Sequence, residues 1–243
     1  MSNMNGRSVL ITGANRGIGR ALVAETLRRG ARRVYAGTRV DLSHPDERVV
    51  PVALDVTDST QIQRAVREID SLDVLVNNAG IALYDDLSDR TVLERHFAVN
   101  VHGTNDVIQA SLPLLVRARG SIVNILSVNA LAPLPMIPSY SISKAAAFNL
   151  TQALRLLLAP QGVTVHAVLT GPVDTDMSRG LDIPKASPES VAKAVLDGVE
   201  RGDPEIFPDS LSAMLTESWN SGASKVLEAQ YAEMIAAGSD RQA

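Results

Sequence analysis

Short apolar runs rich in β-branched residues recur along the chain, and segments with helical periodicity separate them. The runs lack polar alternation, which is typical of strands buried on both faces of a parallel sheet. They cover residues 8–12, 33–37, 49–54, 72–77, 120–126, 163–169 and 205–207. The helical segments cover residues 17–29, 58–69, 89–117, 139–159 and 188–200. This alternation predicts an α/β fold, with a single doubly wound parallel β-sheet and helices on both faces.

The chain of 243 residues shows no internal repeat and no low-complexity linker, so residues 1–243 are predicted to form one domain. Residues 208–243 follow the last strand and form a predicted helical C-terminal tail. Four large apolar residues of this tail would share one helix face: Leu211, Met214, Leu215 and Trp219. The tail is expected either to close over a substrate pocket or to pack against a neighbouring subunit, and the pattern leaves both open.

Tyr140 and Lys144 lie four positions apart in a predicted helix and therefore project from one face. A phenol has a pKa of about 10 in water, and a nearby positive charge lowers it. A phenol shifted in this way is a better general acid or base at neutral pH. Ser127, which ends an apolar strand, can donate to an oxygen held near the phenol. The three side chains predict an acid–base site that acts on a substrate oxygen.

A glycine turn follows the first predicted strand and opens the first predicted helix. Gly13, Gly17 and Gly19 have the spacing G-x-x-x-G-x-G. The free backbone N–H groups and the positive dipole end of such a helix bind phosphate. The glycines permit the sharp turn, the close approach of a pyrophosphate and the packing of helix on strand. Thr12, Asn77, Ser127 and Gly171 all stand at or just after predicted strand ends, where the crevice of a doubly wound sheet opens.

Composition narrows the classes of function. There is no cysteine, which excludes disulfides, thiolate catalysis and Cys-ligated metal. The four histidines are scattered without metal-ligand spacing, so no metal site is predicted. A net charge of −4 gives no reason to expect nucleic-acid binding. No secretory signal and no apolar stretch of membrane-spanning length is visible, so a cytoplasmic enzyme without membrane contact is expected.

These motifs resemble those of the classical short-chain dehydrogenase/reductase (SDR) family, over about residues 7–207. Residues 12–19 resemble its cofactor loop, and residues 77–80 resemble the segment that buttresses the central sheet and passes the adenine ribose. The residues that match its catalytic tetrad, in order and at similar spacing, are Asn100, Ser127, Tyr140 and Lys144. The resemblance implies a Rossmann fold, a nicotinamide cofactor, a small-molecule carbonyl or alcohol substrate, and a homo-oligomer, either a tetramer or a dimer.

The resemblance also implies a role for each member of the tetrad. Tyr140 would exchange a proton with the substrate oxygen, and Ser127 would stabilise that oxygen. Lys144 would bind the nicotinamide ribose and lower the pKa of Tyr140. Asn100 would position a water that relays protons to Lys144.

The predicted cofactor is NADP(H). An NAD site places a carboxylate after the second strand, whereas an NADP site offers arginine. Thr38 stands where the family usually has the acid, Arg39 follows it, and Arg16 lies in the glycine loop. A guanidinium is always charged and matches phosphate oxygens, so the two arginines indicate a 2′-phosphate. Asp41 is close enough to interfere, although it lies beyond the usual position of the acid.

The remaining cofactor contacts follow from the resemblance. Thr175 would fix the carboxamide of nicotinamide, in a segment that begins with Thr170 where the family usually has proline. Asp55 would meet adenine, and Asp58 fits better as the N-cap of the next helix. The predicted cofactor-binding residues are Gly13, Asn15, Arg16, Gly17, Ile18, Gly19, Thr38, Arg39, Asp55, Val56, Asn78, Ala79, Gly80, Tyr140, Lys144, Gly171, Val173 and Thr175.

The predicted reaction is the reversible NADPH-dependent reduction of an uncharged, fairly hydrophobic ketone or aldehyde to an alcohol. No Arg or Lys stands among the residues that resemble the family's pocket walls, so an uncharged substrate fits best. The predicted substrate contacts are Ser127, Asn129, Leu131, Tyr140 and Met177. For Met214 and Trp219, ordinary packing of the tail is the simpler interpretation.

Three alternatives remain open. One is a 3-oxoacyl-thioester or polyketide ketoreductase, although the chain has no obvious basic patch for a carrier protein. The second is an NAD-linked alcohol or sterol dehydrogenase. The third is a regulator that senses the dinucleotide on the same fold and carries out no chemistry; the intact Ser127, Tyr140 and Lys144 argue against it.

Overall fold

A seven-stranded parallel β-sheet forms the centre of the molecule, in a computed structural model that describes residues 3–239. The strands are β1 (Ser8–Thr12), β2 (Arg33–Thr38), β3 (Val49–Ala53), β4 (Val74–Asn77), β5 (Ser121–Ile125), β6 (Thr164–Val168) and β7 (Glu205–Ile206). Their order across the sheet is β3-β2-β1-β4-β5-β6-β7, and all neighbours are parallel. The order reverses between β1 and β4, which opens a crevice at the carboxyl ends of these strands.

Helices cover both faces of the sheet because the strands are apolar on both sides. In β1, Val9 and Ile11 belong to the core under one helix layer, and Leu10 between them belongs to the core on the other face. The helices are α1 (Gly17–Arg28), α2 (Ser59–Arg67), α3 (Arg90–Phe97), α4 (Thr104–Ala118), α5 (Pro138–Leu158), α6 (Pro188–Arg201), α7 (Ser210–Ala213), α8 (Thr216–Asn220) and α9 (Ala223–Ser239). Apolar residues of α1 and α6 fill the first core, and those of α2, α4 and α5 fill the second. The predicted Rossmann fold is confirmed.

The predicted helix over residues 89–117 is not continuous. Between α3 and α4, residues Ala98–Gly103 form a π-helical segment, with the predicted site residue Asn100 buried at its centre. The Asn100 side chain is bonded to Ile81 and Ser143, both distant in sequence. Inserted π turns of this kind are frequent at functional sites, because the extra residue turns a side chain away from the regular helical direction.

The tail is also broken, into α7, α8 and α9, rather than forming the single helix with one apolar face that was predicted. Met214 is 74% exposed, while Trp219 packs on Phe148 of α5 with ring centroids 5.3 Å apart. Trp219 therefore serves the packing of the tail. Residues 240–243 of the predicted tail lie outside the described residues.

Candidate functional site

The glycine turn between β1 and α1 has no room for side chains. A Cβ on Gly19 would lie 2.1 Å from the carbonyl oxygen of Gly13, and Gly13 itself has a φ of +65°. Arg16, the N-cap of α1, makes no side-chain capping bond to the first turn of the helix. The backbone N–H groups of that turn are therefore not capped by Arg16. A bare backbone turn at a helix N-terminus fits the pyrophosphate of a dinucleotide.

The segment after β4 braces this turn. The Thr12 hydroxyl accepts from the backbone N–H groups of Asn78 and Ala79, both at 3.0 Å. The Asn78 amide donates in return to the carbonyl oxygens of Thr12 at 2.9 Å and Gly13 at 3.0 Å. A Cβ on Gly80 would lie 3.2 Å from Asn100 Oδ1 and 3.7 Å from Lys144 Nζ. The segment therefore joins the glycine turn to the predicted tetrad.

The loop that follows β6 lies across the other side of the glycine turn. A Cβ on Gly17 would approach the Thr175 methyl group to 3.0 Å. Thr175 and Val173 are joined by a bond of 3.4 Å from the Thr175 hydroxyl to the Val173 carbonyl. The predicted residues Gly17, Val173 and Thr175 are thus neighbours, as a cofactor that bridges the two loops requires.

The two arginines assigned to the 2′-phosphate are both exposed, and each lies beside a different acid. The Arg16 side chain is 65% exposed and lies 3.4 Å from Asp176 Oδ2. The Arg39 side chain is 67% exposed, and its nearest acid is Asp55 at 4.0 Å rather than Asp41. Thr38 is buried, with its hydroxyl accepting from the backbone of Val40. Both guanidinium groups are exposed enough to bind an anion, in competition with these two acids.

The other predicted cofactor residues lie around the same crevice. Asp55 holds the Thr57 backbone and hydroxyl at 2.9 and 2.7 Å, while Asp58 caps α2, as predicted. Val56 is buried, and its carbonyl would lie 2.7 Å from a Cβ on Gly103 in the π-helical segment. Those that are half-buried along the crevice are Asn15, Ile18, Ala79 and Gly171.

Tyr140, Lys144 and Ser127 meet at the carboxyl end of β5. All three side chains are buried, and Tyr140 and Lys144 stand one turn apart on α5. The Lys144 ammonium lies 5.7 Å from the centre of the Tyr140 ring and donates to the Ile125 carbonyl at 2.8 Å. The Ser127 hydroxyl acts on the Tyr140 phenol, whose pKa it lowers, and it accepts from the Asn129 N–H at 3.1 Å. The predicted acid–base group and its hydrogen-bonding partner are in contact.

Asn100 approaches this group from the π-helical segment. Its side chain exchanges two bonds with the Ile81 backbone, at 2.9 and 3.0 Å, and donates to the Ser143 hydroxyl at 2.9 Å. The Ser143 hydroxyl in turn donates to the Tyr140 carbonyl at 2.7 Å. Because its amide is fully engaged, Asn100 fixes the strand end, the π turn and α5 to one another.

Burial sets the acidity of the two titratable groups. It raises the pKa of Tyr140 to about 12, opposed by the hydrogen bond with Ser127. It lowers the pKa of Lys144 to about 8. The prediction that Lys144 lowers the pKa of Tyr140 is wrong for this structure, because the cost of desolvating the phenolate dominates. At neutral pH the phenol therefore keeps its proton and is available as an acid.

We expect the buried lysine to make the free energy of unfolding depend on pH. The pKa of Lys144 is about 8 when folded and 10.5 as an unperturbed lysine. Between these values the unfolded chain binds more protons, so stability rises with pH. The phenol acts in the opposite sense at higher pH, because the pKa of Tyr140 is about 12 when folded and 10.0 when free. Stability from this group is lost as the pH rises above 10.

The variant Lys144→Met should lack the rise, which amounts to up to about 3 kcal/mol at about 1.4 kcal/mol per pKa unit. Urea unfolding at about pH 8 and about pH 10 measures it. Lys193→Met, at a lysine of α6 whose side chain is 63% exposed, is the control and should keep the rise. An equal rise in both variants would show that Lys144 is not the source.

Several positioning residues had no signal in the sequence. His96 is fully buried, with its Nε2 3.0 Å from the Leu83 N–H and its ring 6.3 Å from that of Tyr140, edge to face. Asp85 accepts from the hydroxyl and the backbone N–H of Ser139, the residue before Tyr140, at 2.5 and 3.3 Å. These contacts hold the N-terminal turn of α5, and they join residues too distant in sequence for a local pattern to predict.

Exposed apolar side chains surround the opening of the crevice. The predicted substrate residues Leu131 and Met177 are exposed, and Asn129 is half-buried beside Ser127. Further exposed apolar residues occur on the loops that follow β4, β5, β6 and β7: Tyr84, Leu87, Met136, Ile183, Leu211 and Met214. Four neighbouring loops thus present apolar surface at the edge where a substrate would enter.

Residues 3–239 show neither a metal site nor a membrane-spanning helix. Within them, no three His, Asp or Glu side chains come together in a way that could hold a metal ion. No helix of the same residues combines the length and apolar character that spanning a bilayer requires.

Comparison with known protein families gives one match over most of the chain. The family model for short chain dehydrogenases matches residues 7–185. A sorbitol dehydrogenase of Cereibacter sphaeroides is 34% identical over 205 residues, which cover 78% of this chain and 79% of the relative. Short-chain dehydrogenase PC-15 of Penicillium crustosum is 42% identical over 189 residues, covering 71% of this chain and 68% of the relative.

Solved structures agree with these sequence matches. The crystal structure of a short chain dehydrogenase from Burkholderia cenocepacia in complex with NADP superposes with a TM-score of 0.85 at 36% identity. The superposition covers 94% of this chain and 99% of that chain. The matching region includes the glycine turn, the segment after β4 and the whole of α5.

Proposed function

Because this chain is an oxidoreductase of the short-chain dehydrogenase/reductase family, we propose that it reduces the carbonyl of an uncharged, fairly hydrophobic ketone or aldehyde with NADPH. The observation that carries the proposal is the buried Tyr140 phenol, one helical turn from the buried Lys144 and beside the strand end that carries the buried Ser127. The reaction is reversible and yields an alcohol.

Each residue of the predicted tetrad has a separate role in the proposed reduction. Tyr140 donates its proton to the oxygen that becomes the alcohol, and its raised pKa keeps that proton available at neutral pH. Ser127 donates a hydrogen bond to the same oxygen as negative charge develops on it. Asn100 holds the turn of α5 that carries the phenol, through Ser143, and Lys144 would hold the cofactor ribose. The bound nicotinamide supplies the hydride.

The residues present fit a nicotinamide dinucleotide. The bare glycine turn suits the pyrophosphate, and the half-buried Asp55, which the family resemblance assigns to adenine, lies 4.0 Å from Arg39. The exposed Arg16 and Arg39, together with a buried threonine in place of the usual acid, favour a 2′-phosphate. The relative solved in complex with NADP supports the same preference.

The preference rests most directly on Arg39, and a charge reversal tests it. We expect Arg39→Asp to reduce the ratio of NADPH to NADH affinity by about 10- to 100-fold, because hydrogen bonds to a charged group contribute about 1.5–3 kcal/mol. The two dissociation constants are measured by nicotinamide fluorescence. Arg90→Asp makes the same charge change on the exposed surface of α3, where Arg90 pairs with Glu94, and should leave the ratio unchanged. An unchanged ratio in Arg39→Asp would remove the argument for NADPH.

The substrate class rests on the exposed apolar residues of the loops after β4 to β7. None of the residues that were predicted from the sequence to contact the substrate carries a charged side chain of the Asp, Glu, Lys or Arg type. Oxidation of NADPH, followed at 340 nm with a panel of apolar ketones and aldehydes, tests the proposal. Tight NADPH binding without turnover of any compound would favour a dinucleotide sensor instead.

One relative favours a second candidate. The sorbitol dehydrogenase of Cereibacter sphaeroides carries a name that points to the oxidation of a polyol. Including polyols with NAD⁺ and NADP⁺ in the same panel separates the two candidates, because apolar loops would bind a polyol poorly.

Assembly and location complete the proposal. We expect a cytoplasmic homo-oligomer, either a dimer or a tetramer, that acts on small molecules and binds neither nucleic acid nor membrane. Ile142 and Leu157 on α5 are large, apolar and exposed in the single chain, which supports self-association through this helix. Light scattering of the purified protein measures the oligomer size.

A further inference from the structure

Asp209, at the start of the tail, is one of the few buried carboxylates of the described chain. It follows β7 and forms the N-cap of α7. Its Oδ1 accepts from the backbone N–H groups of Leu211 and Ser212, at 3.1 and 3.0 Å. Its Oδ2 accepts from the Ser212 hydroxyl at 2.9 Å and from the Gly171 N–H at 2.7 Å. The capping of α7 accounts for three of these bonds, and the bond to Gly171 is additional.

Gly171 is shaped for this contact. A Cβ on Gly171 would lie 2.5 Å from Asp209 Oδ1 and 3.3 Å from the Cβ of Leu211. A side chain at this position would therefore displace the carboxylate. Because Gly171 has no side chain, the buried carboxylate of Asp209 can accept from its backbone N–H. This bond holds the loop after β6 against the tail.

The same loop contacts both halves of the candidate site. The Thr170 hydroxyl donates to the Leu126 carbonyl at 3.1 Å, and the Thr170 carbonyl accepts from the Val128 N–H at 2.9 Å. Thr170 thus holds the residues on both sides of Ser127. Further along the loop, Thr175 contacts the glycine turn. Thr170 stands where the family usually has proline. The hydrogen bonds of Thr170 therefore replace the rigidity that a proline ring would give the loop.

We propose that Asp209 is a positioning residue for the nicotinamide end of the dinucleotide site. It holds the loop after β6 at Gly171, and through it the C-terminal tail acts on cofactor binding. This proposal rests on the cofactor site of the proposed function. A carboxylate is suited to the task because its bonds to N–H donors are charge-assisted and therefore stronger than neutral ones.

Comparing two ligands tests the proposal. NADPH spans the whole site, whereas 2′,5′-ADP contains the adenine and the 2′-phosphate but no nicotinamide. In Asp209→Asn and Asp209→Ala we expect the dissociation constant of NADPH to rise about tenfold, the scale of one hydrogen bond to a charged group. The dissociation constant of 2′,5′-ADP should stay the same. Calorimetry measures both ligands.

Asp89→Ala is the matched control for Asp209→Ala. Asp89 caps α3 by accepting from the N–H and the hydroxyl of Thr91, at 2.8 and 2.7 Å, and it lies on a different element. Its loss removes a helix cap without touching the loop after β6, so neither ligand should bind more weakly. An unchanged NADPH affinity in the Asp209 variants, or equal weakening of NADPH and 2′,5′-ADP, would overturn the proposal.

A double-mutant cycle checks the contact itself. Gly171→Ala alone should weaken NADPH binding, because its methyl group displaces the carboxylate. In the Asp209→Ala background that space is vacant, so adding Gly171→Ala should cause little further loss. Fully additive losses would contradict the proposal. If the unmodified chain prefers NADH, the same variants are tested with NADH and ADP in place of NADPH and 2′,5′-ADP. A wrong cofactor preference is thereby distinguished from a wrong role for Asp209.

Discussion

Replacing Tyr140 by phenylalanine is expected to lower kcat by about 10²- to 10⁴-fold, the usual contribution of a positioned general acid. The dissociation constant of NADPH should change little, because the bare glycine turn and the two exposed arginines stay intact. The substitution deletes one oxygen. The ring still fits beside His96, with which it packs edge to face at 6.3 Å.

The size of this effect follows from the burial of the site. Because burial raises the pKa of Tyr140 to about 12, the phenol carries its proton throughout the neutral range. Ser127 is the residue whose hydroxyl acts on the phenol, and in the variant it would remain to stabilise the substrate oxygen. The developing negative charge would therefore meet a hydrogen bond but no proton.

Steady-state oxidation of NADPH and fluorescence titration of the same cofactor together measure the two quantities. Tyr231→Phe, at a half-exposed tyrosine of α9, removes the same oxygen far from the site and should keep full activity. Undiminished turnover in Tyr140→Phe, with cofactor binding and fold intact, would mean that another group protonates the substrate.

The sheet could be predicted from the sequence because its strands are apolar on both faces. Residues 33–37 and 163–169 were predicted as strands, and β2 and β6 occupy Arg33–Thr38 and Thr164–Val168. Differences of one or two residues reflect where pairing ends, which depends on the neighbouring strand. The predicted helix over residues 89–117 was wrong at its centre, because Asn100 bonds to Ile81 and Ser143, and no local pattern reports such distant partners.

The candidate site was accessible to prediction where its residues form short motifs. The residues that act together in the glycine turn lie within a few positions of one another, and the same is true of Tyr140 and Lys144. Asp209 does not, because its partner Gly171 is 38 positions away and an isolated Asp-x-x-Ser reads only as a helix cap. The pKa of the phenol could also not be predicted from the sequence, since it depends on how deeply the Tyr140 ring is buried.

Gly19→Ala is expected to weaken NADPH binding by up to about 100-fold. The new Cβ would lie 2.1 Å from the Gly13 carbonyl oxygen and 2.6 Å from the Asn78 side-chain nitrogen. Neither neighbour can move freely. The carbonyl belongs to the backbone of the turn, and Asn78 Nδ2 already donates to Thr12 and Gly13. Crowding of this kind costs up to about 3 kcal/mol, and about 1.4 kcal/mol corresponds to a tenfold change in affinity.

The alanine must push α1 away from the turn, which spoils the N–H groups that would meet the pyrophosphate. The loss should therefore appear equally for NADPH and NADH, and also for 2′,5′-ADP through its 5′-phosphate, unlike the selective losses expected for Arg39 and Asp209. Gly198→Ala is the control: its Cβ would crowd the Ile206 side chain at 2.7 Å, far from the crevice, and a side chain can rearrange. That variant should unfold at a lower temperature yet bind all three ligands as before. Normal binding in Gly19→Ala would show that α1 does not hold the phosphates.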